Sequence, residues 1–210
     1  MQDDQTQQIV LDKLKSVIKE NNIDLNVRVL DMGCSDVRLY SKYLIDNAEE
    51  YVGIDKNENS IIKAKSKFNS DNINFELTSS EDICSMEKTF DLIIINNSLA
   101  YTNKRRVINN IFQVLKEDGY CISLYNNTYL YNIYKIIHPN RNLLIEIIHS
   151  LVVTINTILY HILSIRLFHT TSNSYKEITS LINKHKFKKK AIIRDNKSFS
   201  WETIHFMLKK

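Results

Sequence analysis

The residues best equipped for chemistry lie in Val27-Arg28-Val29-Leu30-Asp31-Met32-Gly33-Cys34-Ser35-Asp36, followed by Tyr51-Val52-Gly53-Ile54-Asp55. An apolar run breaks at a glycine, opens a polar-capped segment and meets an acid about 20 residues later. That is how a doubly wound sheet grips a nucleoside. Glycine lets the backbone turn sharply at the end of a strand. Asp55 then stands at the tip of the neighbouring strand, where two carboxylate oxygens can accept from both hydroxyls of a ribose.

The spacing also narrows the nucleoside. A dinucleotide site needs glycine at three positions of G-x-G-x-x-G, because a pyrophosphate must sit against the helix start. Here those positions hold Gly33, Ser35 and Arg38, and a long Arg38 at the third obstructs close helix–strand packing, so the fingerprint fails for NAD or FAD. A cofactor with an adenosine but no phosphate asks for one tight turn, backbone approach to an amino acid tail, and a ribose-binding acid. S-adenosylmethionine meets that description.

The elements that must position these residues follow from periodicity. Short apolar runs predict strands at Val27–Asp31, Tyr51–Asp55, Ile73–Leu77, Phe90–Ile95 and Tyr120–Tyr125. Amphipathic spacing predicts helices over Ile9–Ile18, from a Ser35 or Asp36 cap to roughly Asn47, over Asn57–Phe68 and over Arg105–Leu115, the last ended by Asp118-Gly119. Phe187–Arg194 and Thr203–Leu208 also read as strands, but Asp195–Glu202 between them is too short for a helical crossover. The last two strands are therefore expected to form an antiparallel pair at one edge. The predicted fold class is α/β: a doubly wound, mostly parallel, seven-stranded Rossmann-like sheet with a reversed C-terminal edge hairpin strand and a helical insertion after strand five. Residues 1–210 read as one domain, with 129–168 as a helical lid or insertion leaving the sheet at the edge of the Gly33 turn.

Five motifs in order carry a resemblance: V-L-D-M-G-C-S-D at Val29–Asp36, V-G-I-D at Val52–Asp55, S-E-D-I at Ser80–Ile83, F-D-L-I-I at Phe90–Ile94 and V-L-K-E-D-G-Y at Val114–Tyr120. The chain resembles the class I S-adenosylmethionine-dependent methyltransferases, in the small-molecule branch with the methyltransferase-11-like core. The similarity covers Val27 to Tyr125 and resumes at Asn173–Phe187. It implies that Asp31 and Gly33 shape the turn beside the methionine moiety, with Cys34 and Ser35 contributing backbone. It implies that Asp55 holds the ribose diol and that Lys56 borders the adenine. In Ser79-Ser80-Glu81-Asp82 one acid, Glu81 or Asp82, accepts from the adenine amino group while a backbone N–H meets the ring. Asn96 offers its carbonyl to the cofactor's amino group, Asn97 lies near the methyl, and Tyr101 faces the acceptor. The family usually has glycine at the positions of Ser35 and Val37, and valine resists positive φ.

The remaining features bound the function. A formal charge of +4 on 210 residues lacks the strong basic field of a phosphate-binding protein, so a nucleic-acid acceptor is not favoured. The basic run Lys184–Lys190 keeps an RNA or protein methyltransferase as the alternative, and the glycine-poor loop keeps a cofactor-binding, non-catalytic subunit. Cys34, Cys84 and Cys121 are widely spaced, which points to neither disulfides nor zinc and to a cytoplasmic protein. No metal is expected, since the sulfonium itself activates the methyl group. His138, His149, His161 and His169 fall in or beside the insertion, from which a general base could come. The apolar stretch 142–168 reads as core, a homodimer contact, a lid over the acceptor or a peripheral membrane contact. The expected activity is methyl transfer to an oxygen or nitrogen of a small, partly apolar acceptor.

Overall fold

The computed structural model describes residues 4–127, 148, 151–156, 158–159, 175–195 and 203–210. Its sheet has seven strands in the order β3-β2-β1-β4-β5-β7-β6. These are β1 (Arg28–Met32), β2 (Glu50–Asp55), β3 (Ile73–Leu77), β4 (Phe90–Asn96), β5 (Leu115–Asn127), β6 (Lys189–Asp195) and β7 (Thr203–Lys209). β1 to β5 run parallel, and β7 runs antiparallel to both β5 and β6. The C-terminal hairpin forms the edge as expected, with the reversed β7 tucked inside and β6 outermost.

Helices cover both faces: α1 (Asp4–Glu20), α2 (Leu39–Ile45), α3 (Glu58–Lys67), α4 (Lys104–Val114) and α5 (Tyr175–Asn183). Alternation along β4 shows why the sheet is double-sided. Leu92 and Ile94 pack with Leu14, Leu44 and Ala64 of α1, α2 and α3, while Ile93 and Ile95 pack with Ile108 and Ile111 of α4 and Ile178 of α5. All four β4 side chains are fully buried, as a central parallel strand requires.

Of the boundaries that differ from the sequence reading, two have a visible local cause. α2 does not start at a Ser35 or Asp36 cap; it begins at Leu39, with Arg38 at the N-cap and no side-chain capping bond. The cause is local, because Ser35 (φ 56°) and Val37 (φ 66°) are left-handed and the chain cannot enter a helix until it has left them. β5 starts at Leu115, straight from α4, rather than at Tyr120. Leu115 pairs with Phe90 across a register shift, with Asp118 at φ 63° within it. The insertion lies mostly outside the described residues. Within it, residues 151–156 are helical, Val153 and Asn156 are buried, and Ile148, Leu151, Ile155 and Ile158 are exposed. Among the described residues no helix is long and apolar enough to cross a membrane.

Two contacts fix the start of the fold against β1 and β2. Asp31 is fully buried and accepts hydroxyl protons from Tyr40 (3.1 Å) and Ser41 (2.6 Å) on α2 and from Tyr51 (2.8 Å) on β2. Burial raises its carboxyl above the ordinary 3.8, with the three hydroxyls and the Arg38 charge opposing. At Gly53 a Cβ would meet the Phe75 ring at 2.8 Å and Cys34 Sγ at 3.0 Å, so the strand has no room for a side chain there.

Gly53→Ala is therefore expected to lower stability by about 1–3 kcal/mol, the usual cost of overpacking, measured by urea unfolding; an unchanged midpoint would refute the close approach. For Asp31 the sign follows from its raised value. The stability it contributes is complete below its unfolded value and is lost as pH rises through the folded one. The melting-temperature deficit of Asp31→Asn should thus be largest near about pH 4 and narrow towards neutrality. A deficit that widens with pH contradicts a raised carboxyl.

Candidate functional site

The carboxyl ends of β1 to β4 open onto a pocket of about 640 Å³, within the range of small-molecule sites. Its first wall is the bend after β1. Gly33 turns at φ 82°, and a Cβ there would sit 3.0 Å from Ser98 Cβ, so any other residue would strain the backbone and push back the segment after β4. The N–H groups of Gly33 and Cys34 both donate to the Ile54 carbonyl, at 2.8 and 3.0 Å. Ser35 N–H donates to Asp55 Oδ2 at 3.1 Å. The left-handed bend is thereby stitched to the tip of β2.

Asp55 and Lys56 form the second wall. Asp55 Oδ1 accepts from Asn57 N–H at 2.9 Å. An ionised carboxylate has roughly four acceptor positions, so these two backbone donors orient it while capacity remains for a ligand's hydroxyls. Asn57 in turn caps α3 by accepting from Ser60 N–H, which fixes where the β2 tip ends.

The third wall is the turn after β3, with Thr78, Ser79, Ser80, Glu81 and Asp82. Both acids are held by the start of α4: Asn103 N–H donates to Glu81 Oε1 at 2.7 Å, and Arg106 pairs with Asp82 at 2.7 Å. Asn110 Nδ2 also donates to the Glu81 carbonyl at 2.8 Å. The fourth wall is Asn96 and the segment beyond it. Asn97 is left-handed at φ 51°, and Tyr101 is 43% exposed. Asn96 is buried against the pocket, and among the described residues its Oδ1 has no hydrogen-bond donor.

The pocket thus gathers Gly33, Ser35, Asp55, Lys56, Ser80, Glu81, Asp82 and Asn96, together with Asn97 and Tyr101. Asp31 and Cys34 do not line it. Asp31 points into the α2 interface, and Cys34 is a fully buried thiol packed beneath the bend. Burial and the Asp31 and Asp55 charges push that thiol far up, so it stays protonated. The sequence reading treated Arg38 only as an obstacle to helix packing; here it lines the pocket ahead of α2. Thr102, Asn103 and Arg106 were also missed, although Asn103 is recognisable as an N-cap from its position just before the α4 pattern. The histidines of the insertion lie outside the described residues.

The basic run lies at the other end of the sheet. Lys189 pairs with Lys209, and Lys209 with Tyr120 at the amino-terminal side of β5, while Asn96 at the pocket pairs with Leu124. That separation is about 13 Å along the strand, at roughly 3.3 Å per residue. Of the run, Lys188 pairs with Asp118 at 3.3 Å; beside it, Lys209 pairs with the same carboxylate at 3.3 Å and Lys210 with Glu117 at 3.5 Å.

Comparison with known proteins places this geometry. A family profile described as a methyltransferase domain matches residues 23–191. The N-methyltransferase NodS from Bradyrhizobium japonicum WM9 superposes with a TM-score of 0.62 at 12% identity, covering 100% of this chain and 99% of that one. NodS in complex with S-adenosyl-L-homocysteine gives 0.55 at 12% identity, over 88% and 78% of the two chains. A SAM-dependent methyltransferase from Methanosarcina mazei gives 0.59 at 15% identity, over 92% and 96%. No curated protein sequence matches. The chain belongs to the methyltransferase domain family and has the class I S-adenosylmethionine-dependent methyltransferase fold.

Proposed function

We propose that the pocket binds S-adenosylmethionine and that the protein moves its methyl group to a nitrogen or oxygen of a small-molecule acceptor. The observation that carries this reading is the Asp55 carboxylate, oriented by two backbone N–H groups at the β2 tip and facing the bend at Gly33. In this reading Asp55 accepts from the ribose hydroxyls, and Glu81 or Asp82 accepts from the adenine amino group. The buried Asn96 Oδ1 needs a donor, and the cofactor's ammonium is one. In the same reading Arg38, on the pocket wall, is assigned to the carboxylate of the methionine part. When bound, the cofactor supplies a methyl already activated by its sulfonium.

The rest is orientation. An acceptor atom must stand in line with the S–CH₃ bond at about 3–3.5 Å. Asn97, Ser98, Tyr101 and Thr102 line the open side, so they are assigned to orient the acceptor by hydrogen bonding and to wall it from water. This lining favours an acceptor with polar groups near the reacting atom. The stretch 142–168, read from the sequence as a lid among other possibilities, lies mostly outside the described residues. The exposed Ile148, Leu151, Ile155 and Ile158 support the readings of that stretch as a membrane or homodimer contact.

The alternative acceptors gain less support. The Lys184–Lys190 run lies at the far end of the strands, with Lys188 salt-bridged, which argues against RNA or protein delivered to this pocket. The non-catalytic reading rested on the missing glycines. Ser35 and Val37 nonetheless adopt the left-handed backbone that glycine would supply, which favours a working loop.

Asp55→Ala should weaken S-adenosylhomocysteine binding by about 1–3 kcal/mol in calorimetric titration, the scale of buried hydroxyls left without partners. Unchanged affinity would remove Asp55 from the site.

A further inference from the structure

We infer that Lys67 is a positioning residue for the cofactor loop: from the end of α3 it holds the Asp36–Val37 peptide in the strained orientation that glycine would adopt unaided. The inference rests on the cofactor reading above for its effect on affinity, though not for its effect on the loop. Lys67 Nζ donates to the Asp36 carbonyl at 2.8 Å and lies 3.4 Å from Asp36 Oδ2. The Asp36 carboxyl sits below its ordinary value: burial would raise it, but the Lys67 charge and the backbone N–H outweigh that.

A peptide-by-peptide accounting shows what the contact does. The N–H groups of Gly33 and Cys34 are tied to Ile54, that of Ser35 to Asp55 and that of Val37 to the Cys34 carbonyl. Val37 has the least favourable residue type for φ 66°, because a β-branched side chain crowds the backbone there. The cheapest escape is rotation of the Asp36–Val37 peptide plane, which changes ψ of Asp36 and φ of Val37 and little else. That rotation carries the Asp36 carbonyl oxygen away from Lys67 at the same time as it pulls the Val37 N–H off the Cys34 carbonyl, the longer of the two bonds at 3.2 Å against 2.8 Å. The bond to Lys67 therefore opposes the one motion that would release the strain, as a strained site requires of its surroundings.

The anchor is firm although the ammonium is about half exposed. α3 is pinned by the buried Ile61 and Ala64, and Asn57 caps its start beside Asp55. One short helix thus joins the β2 tip to the outer side of the bend. With glycine at position 37 the positive φ carries no steric penalty, and the clamp has nothing to oppose.

The test is a double-mutant cycle on the full chain: wild type, Lys67→Met, Val37→Gly and the double variant, with Lys67→Arg as the conservative rescue. S-adenosylhomocysteine affinity is read by calorimetry, and thermal unfolding is read without ligand. With Val37 present, Lys67→Met should raise the dissociation constant roughly two- to fivefold, the scale of a half-exposed charge-assisted bond, and lower the melting temperature. In the Val37→Gly background both effects should shrink by at least about half, and Lys67→Arg should restore most of the loss. Equal effects in the two backgrounds, or none in either, overturn the clamp. Failure of all four proteins to bind the ligand refutes the cofactor reading instead, and the thermal cycle then decides the clamp alone.

Discussion

A bend that passes twice through left-handed backbone without glycine at either position must be held by its neighbours. The contact that ties the bend to the neighbouring strand tip through a functional side chain is the Ser35 N–H to the Asp55 carboxylate, between the bend after β1 and the tip of β2. It is also the contact that makes a site, since the same carboxylate faces the pocket with accepting capacity to spare. Moving either strand tip would loosen the loop and misdirect the acid together. Loop shape and ligand recognition are therefore one constraint in this protein.

The surrounding structure reads as support for that constraint. Asp31 draws three hydroxyls onto the back of β1, fastening α2 and β2 to the strand that bears the bend. Gly53 lets the Phe75 ring and Cys34 close against β2, so the layer beneath the bend is filled without a gap. On the other side, Asn103 and Arg106 of the α4 start secure Glu81 and Asp82, and the β3 turn cannot drift from the β4 tip. These supports are buried or paired side chains on regular elements, which hold a site more firmly than loops do.

Much of this was legible before the structure. The parallel strands, their crossover helices and the terminal hairpin followed from apolar periodicity and from the short Asp195–Glu202 link, because those signals are set by local burial. The Gly33 and Asp55 pairing followed from spacing. What sequence could not convey was direction. Asp31 belongs to the same motif as Gly33, yet its strand position turns it towards α2, where three hydroxyls await it. Arg38 looked like a packing obstacle because the fingerprint assumes a helix starting immediately after the bend. Two left-handed residues delay that start to Leu39 and leave Arg38 beside the pocket. Nor does a sequence disclose that Lys67, 31 residues from Asp36 along the chain, ends its helix against that carbonyl.

The central claim is that an adenosyl group lies between the Gly33 bend, the β2 tip and the β3 turn. Backbone amide shifts recorded by NMR during titration with S-adenosylhomocysteine test it most directly, since they locate the ligand residue by residue. The account predicts saturable shifts at Gly33, Ser35, Asp55, Lys56 and Ser80 to Asp82, with the β6–β7 edge left unperturbed. Shifts confined to that edge, or none at millimolar ligand, would contradict it.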